Sequence, residues 1–262
     1  MRVIALTFHD VVADGKDGSA DSDPFYRVSA GEFEALLSQL RKLGYRTVSS
    51  RHFREWQQGI RMLPERTVVF TFDDGYVSNF DVVAPLLVRY RFGGTFFVTT
   101  GYVGRTGYMT WDQLRKLVFL GMEVGSHGAS HRPLTSLSPA ELEEELTASK
   151  RALERQLGVP VRALAAPGGY WNRAVAEATE RSGYDAVWVS TIGTNGPQTN
   201  PLALRRVVVR QPISVERIVS VVEGRTSAFW LAANQQLLIR VAKRLLGTYW
   251  YEQLKRRLVP NA

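Results

Sequence analysis

Two carboxylates and two imidazoles stand at spacings that can do hydrolytic chemistry. Asp73 and Asp74 follow the apolar run Thr67 to Phe72, with Gly75 behind them where the backbone can turn away. Adjacent strand residues point to opposite sides, so the pair can hold two jobs, one carboxylate on a metal ion and the other on a proton. An Asp-Asp-Gly triplet also closes strands as a plain polar turn, and the pair alone does not choose between these uses. His127 and His131 lie among Gly and Ser with Pro133 just beyond. An H-x3-H spacing can bring both rings to one ion. Two neutral imidazoles with one carboxylate, here Asp74, make a three-ligand set for zinc or a similar divalent ion that leaves a position open for water. Two surface or capping histidines are the competing reading, which weakens with a carboxylate pair at another strand end.

The surrounding elements must bring these groups together. Ser29 and Glu32 form a capping box ahead of Phe33, Leu36, Leu37, Leu40 and Leu43 at helical spacing, with Gly44 as the stop. Thr110 with Gln113 starts another helix, and Ser138, Pro139 and Glu141 start a third that runs to Leu157 before Gly158. Further helices are expected near residues 50–58, 79–91 and 172–182. Strands are expected at the amino terminus and at 45–48, 67–72, 95–99, 122–124, 161–165, 184–189 and 206–209. Residues 10–28 read as a long loop. About seven alternations of strand and helix favour a parallel sheet wrapped by helices. In such sheets the site forms at the carboxyl ends of the strands. His9-Asp10, Asp73-Asp74, Ser126-His127 and Pro167-Gly168-Gly169 all fall there, on one rim.

The segments TFDDGY (71–76), SHGASH (126–131) and LAAPGGYWN (164–172) resemble, in order and spacing, motifs one to three of the polysaccharide deacetylase family, the NodB-homology group or carbohydrate esterase family 4. The resemblance covers about residues 1–210. It implies a distorted (β/α) barrel of about seven parallel strands, hydrolysis of N-acetyl groups from amino sugars, and a divalent metal, zinc first with Co2+, Ni2+ or Fe2+ as substitutes. It makes Asp73 the base and Asp74, His127 and His131 the metal ligands. The opening LTFHDVV resembles the subgroup that acts on poly-N-acetylglucosamine exopolysaccharides. The chain departs from the family pattern twice. Ala165 stands where many members carry an arginine that orients the base, and no histidine occupies the fifth-motif region around Leu204-Arg205-Arg206-Val207. By elimination His9 is the imidazole left to protonate the leaving amine, while His52 reads as structural. The Gly168 N–H is a candidate oxyanion donor. Tyr76, Tyr170, Trp171 and Trp188 are candidates for a substrate surface, since flat rings suit sugar faces; core packing accounts for any one of them equally well.

Composition narrows the classes. Of 262 residues, 45% are hydrophobic and 22% charged, which is ordinary for a globular protein, and cysteine is absent, which excludes disulfides and thiolate metal sites. No stretch approaches the roughly 20 apolar residues of a membrane span, and the apolar run at the amino terminus is too short for a secretory signal. A cytoplasmic location is therefore expected. Residues 205–262 hold eleven basic and three acidic side chains, so the whole net charge of +8 falls there. The expected organisation is a catalytic domain over 1–225 and a basic amphipathic helical extension over 226–262, whose apolar stripe and Tyr249-Trp250-Tyr251 cluster suit an anionic membrane surface as well as a helix covering the barrel. Nucleic acid is not an expected partner. The partner is an N-acetylated glycan, polymeric or lipid-linked. An amidase with a non-sugar substrate and a catalytically idle glycan binder are the alternatives.

Overall fold

The computed structural model describes residues 1–212 and 214–225, and the expected extension over 226–262 lies outside the described residues. The chain forms two compact units, Met1–Ile213 and Ser214–Ala262. Among the described residues of the second, Ser214 caps one helix, Val215–Val222. No helix among the described residues is long and apolar enough to cross a membrane.

The first unit carries eleven strands: β1 Ile4–Phe8, β2 Asp10–Val12, β3 Arg27–Ser29, β4 Arg46–Val48, β5 Thr67–Phe72, β6 Thr95–Val98, β7 Glu123–Ser126, β8 Ala163–Ala165, β9 Ala186–Val189, β10 Leu204–Arg205 and β11 Val207–Val208. Its α-helices are α1 Ala30–Lys42, α2 Ser50–Gln57, α3 Ala84–Tyr90, α4 Trp111–Phe119, α5 Pro139–Leu157 and α6 Arg173–Arg181. The three capping boxes, at Ser29, Thr110 and Ser138, all form. Each satisfies two amide donors that a helix start leaves unpaired.

Eight parallel strands follow the order β10-β9-β8-β7-β6-β5-β1-β11, with β4 added beside β5. The two outer strands of that path, β10 and β11, are consecutive in the chain: Leu204 and Arg205 pair with Trp188 and Val189 of β9, then Val207 and Val208 pair with Leu6 and Thr7 of β1. The sheet thus nearly closes into a distorted (β/α) barrel, and Arg206 sits in the seam. The expected single strand over 206–209 is this split pair, one residue being left free of both ladders so that the chain can change partners.

Period-two alternation sorts the side chains. Phe8, Phe70, Phe72 and Phe96 face outward with Phe33 of α1 in an aromatic layer under the helices, where Phe72 stacks on Phe96 at 4.7 Å. Val69, Ala5, Phe97, Ala165, Trp188 and Leu204 pack together on the inner side. Each fully buried Phe contributes about 1.5–3 kcal/mol. Thr7 and Thr71 share a 2.9 Å hydrogen bond on the inner side, so Asp73, two residues beyond Thr71, also points inward.

Helix α2 crosses the strand starts. Its Ser50 N–H donates to Thr95 Oγ1, its Arg51 N–H to Glu123 Oε2, and its Arg54 Nε to Asp185 O. Phe53 fills the inner layer from below, which leaves the opposite rim, at the strand carboxyl ends, for the site.

Two expected elements differ. The segment 10–28 is tied down by a small parallel pair, β2 with β3. The helix expected over 79–91 begins as a π-helical turn, Asn79–Val83, before α3; such turns commonly mark functional sites.

Candidate metal and proton-transfer site

Asp73 continues β5, and its N–H donates to Phe8 O at 2.9 Å, which holds it beside the end of β1. The side chain is 3% exposed and meets Arg206, 1% exposed, whose Nη1 donates to Asp73 Oδ1 at 2.7 Å. Burial pushes the Asp73 carboxyl up, but Arg206, with His127 and His9 in support, outweighs it and holds the group below the usual carboxylate value. Asp73 therefore stays ionised in a dry setting. The group that orients Asp73 is thus Arg206, in the barrel seam rather than at the position where Ala165 replaces the family's arginine. The available signal was alternation: Leu204 points inward, so Arg206 does too, and its guanidinium lies over the Phe97 ring at 5.8 Å.

Asp74 leaves the strand in a left-handed conformation, φ +73°, which a non-glycine residue adopts only when its surroundings impose it. This turn swings its carboxylate away from Asp73 and toward the β7 loop. There Asp74 Oδ1 lies 3.3 Å from His127 Nε2 and 3.1 Å from His131 Nε2. All three ligand atoms lie within 4.8 Å of one another. His127 Nδ1 donates to Ala165 O at 2.8 Å, so its Nε2 keeps a lone pair aimed at Asp74. His131 is also left-handed, φ +63°, and its side chain is 36% exposed, so the cluster opens to solvent on that side.

Despite these approaches, the buried Asp74 Oδ1 has no hydrogen-bond partner of acceptable geometry. Three electron-pair donors converge on one point without satisfying each other. An Asp/His/His set with an orphaned oxygen fits a divalent cation of the zinc type. Burial raises Asp74, but His127 and His131 beside it, and the charges of His9 and His127, bring it well below its usual value. Burial lowers His127, and Asp73 and Asp74 together carry it above its ordinary value.

His9 ends β1 on the same rim. Its ring packs on Tyr26 at 4.7 Å, and its Nδ1 is buried with no hydrogen-bond partner. Burial, assisted by Arg206 and His127, lowers its pKa against the pull of Asp74 and Asp73, so His9 shares its electrostatic field with both carboxylates. The first residue of the π-helical turn and the residue before it hold this strand end. Asn79 Nδ2 donates to His9 O at 2.8 Å and Ser78 Oγ donates to Asp10 Oδ1 at 2.6 Å. The other Asp10 oxygen accepts from Ser19 N and Ser22 Oγ, which anchors the expected long loop over 10–28.

The remaining candidates separate. Gly168, φ +66°, turns the β8 exit, and a Cβ there would meet the Tyr170 ring at 2.7 Å, so only glycine fits. Trp171 is partly exposed, with its Nε1 lacking a partner. Tyr76 is 6% exposed and stacks on Tyr108 at 5.1 Å. Tyr102 links this stack to the metal cluster, 4.9 Å from Tyr108 and 6.1 Å from His131; neither Tyr102 nor Tyr108 was singled out from sequence, since both lie between motifs. Trp188 must be corrected. Strand alternation puts it on the inner side, 0% exposed, where it packs on Phe53 and its Nε1 donates to Ser50 Oγ at 2.7 Å, so it has no face to offer a sugar.

Residues 61–187 match the family described as Polysaccharide deacetylase. Among curated proteins, YxkH of Bacillus subtilis (strain 168) is 27% identical over 196 residues, 75% of this chain and 70% of that protein. The poly-beta-1,6-N-acetyl-D-glucosamine N-deacetylase of Escherichia coli (strain K12) is 29% identical over 140 residues, 47% of this chain but 20% of that longer protein. Among solved structures, IcaB from Ammonifex degensii superposes with a TM-score of 0.74 at 27% identity, covering 84% of this chain and 97% of that one.

Proposed function

Because the chain belongs to the polysaccharide deacetylase family, we propose that it hydrolyses the N-acetyl group of an amino sugar in a glycan, with a divalent cation held by Asp74, His127 and His131. The observation that carries this is the arrangement on one rim: an ionised, Arg206-bound Asp73 next in sequence to the carboxylate of an Asp/His/His cluster. A divalent cation held there would supply Lewis-acid polarisation of the acetamide carbonyl and of water.

The protein's own groups supply the proton traffic. Asp73 takes the proton from the attacking water, and Arg206 keeps it ionised and aimed until then. Cleavage of the C–N bond gives acetate and an amine, whose nitrogen must gain a proton as it departs. His9 delivers it: burial before all else disfavours its charged form, so the ring starts neutral, takes up the proton that Asp73 has drawn from the water, and readily passes it on to the nitrogen. The Gly168 N–H, at a turn where no side chain stands in the way, donates to the developing oxyanion; one such donor is typically worth about 2.7–4 kcal/mol. Tyr170 and Trp171 beside it, and Tyr102 beside His131, offer ring faces for the sugar. The likeness to the Escherichia coli poly-beta-1,6-N-acetyl-D-glucosamine N-deacetylase supports an N-acetylglucosamine polymer as the substrate class.

The test is acetate release from N-acetylglucosamine oligomers and from small acetamides, each with added Zn2+, Co2+, Ni2+ or Fe2+. Release that requires the ion and prefers the oligomers is expected. Equal turnover of small amides removes the sugar assignment, and release that persists under chelation removes the metal.

A further inference from the structure

Helix α5 carries a buried acid where its pattern calls for an apolar residue. Its inward face is Leu142, Glu145, Leu146, Ser149 and Leu153, and Glu145 is 8% exposed. Glutamate is rarely this buried unless something holds its charge. Both oxygens are engaged by a single residue: Ser130 N–H donates to Oε1 at 2.6 Å and Ser130 Oγ to Oε2 at 2.8 Å. Ser130 immediately precedes His131 and its left-handed backbone.

Glu145 also shapes the other end of this loop. Gly128, φ +79°, lies against it so closely that a Cβ there would sit 2.7 Å from Oε1. One turn along the same face, Ser149 accepts a 2.9 Å hydrogen bond from Ser126 Oγ, which in turn accepts from Gly128 N–H at 3.1 Å. Residues 126–130, which carry His127 and lead into His131, are thus gripped at both ends from α5. A charge-assisted bond to a backbone N–H is about twice as strong as a neutral one, enough to hold a residue in an unfavourable backbone conformation.

We propose that Glu145 is a positioning residue for the cation site, fixing the loop so that the His131 and His127 Nε2 atoms converge on Asp74 before any ion arrives. The carboxylate touches neither ligand ring; it acts through Ser130. This rests on Asp74, His127 and His131 as the holders of the ion.

The experiment is isothermal titration of Co2+ and of Zn2+ into chelator-stripped full-length protein, with thermal melts of the metal-free forms. Glu145→Leu keeps the apolar packing but removes both acceptors, and affinity is expected to fall about 10- to 100-fold, the usual cost of losing an outer support. Glu145→Gln can still accept from Ser130 N–H and donate to its hydroxyl, so it is expected to recover most of the affinity. Should Glu145→Leu not yield folded protein, Glu145→Asp, one methylene too short to reach Ser130, carries the same expectation. A parent that takes up no ion overturns the metal reading and this role with it. A parent that binds while Glu145→Leu or Glu145→Asp binds equally well overturns the role of Glu145 alone, as does a Glu145→Gln variant as weak as Glu145→Leu.

Discussion

Arg206 Nη1 donates to Asp73 Oδ1 across 2.7 Å, and the two residues are 133 positions apart in the chain. The pair spans the place where the sheet closes, so a single contact ties barrel closure to the state of the proposed base. Removing one partner strands the other as a buried charge. Arg206→Met is therefore expected to cost about 3–5 kcal/mol of stability. Adding Asp73→Asn to it is expected to return much of that loss while leaving the protein inactive. Urea unfolding of the two single variants and the double variant checks this; additive losses would mean that the residues do not depend on each other.

His9 gives a pH signature of opposite sense to a salt-bridged histidine. Its folded pKa lies below the usual 6.5, chiefly through burial, so below about pH 6.5 the unfolded chain binds a proton that the folded chain refuses. Its contribution to stability is thus lost as pH falls through that window and regained as pH rises. With chelator present, the parent is expected to lose stability between pH 6.5 and 5 relative to His9→Asn. His127, shifted the other way, is common to both proteins, so most of its own contribution drops out of the difference. Parallel stability curves would place His9 in a solvated setting instead.

Metal linkage follows from the orphaned Asp74 oxygen. An ion supplied at a hundred times its dissociation constant is expected to stabilise the parent by about 2.7 kcal/mol, and Asp74→Ala is expected to lose the response. Denaturation with and without chelator measures it, and an Asp74→Ala protein that responds like the parent would move the ion elsewhere.

Trp188 is a core residue on the inner side of β9, so Trp188→Ala is expected to cost about 3–5 kcal/mol while the folded fraction keeps the parent KM for oligosaccharide. A raised KM at unchanged stability would return it to the substrate surface.

The parts of this site carried by local signals could be read from the chain. Capping residues mark helix starts, and the Asp73-Asp74-Gly75 and His127-x3-His131 patterns sit where strands end, so the cluster of Asp74, His127 and His131 was visible as a candidate. The parts set by closure were not. Alternation from Leu204 gives the inward direction of Arg206, but nothing near Asp73 in sequence points to it, because their meeting depends on β10 and β11 pairing with different neighbours. Segment 10–28 reads as a long loop because its order comes from Asp10 reaching Ser19, Ser22 and Ser78. Trp188 was grouped with substrate aromatics by nearness to motifs along the chain, whereas strand alternation turned it into the core.

The most direct measurement is acetate release from an N-acetylglucosamine oligomer by the ion-loaded parent and by Asp73→Asn, with bound metal determined in both. The variant is expected to keep its ion, since Asp73 is not among the proposed ligands, and to lose about 10²- to 10⁴-fold in rate, the span of general-base catalysis. A variant that holds its ion and still turns over at the parent rate would contradict it.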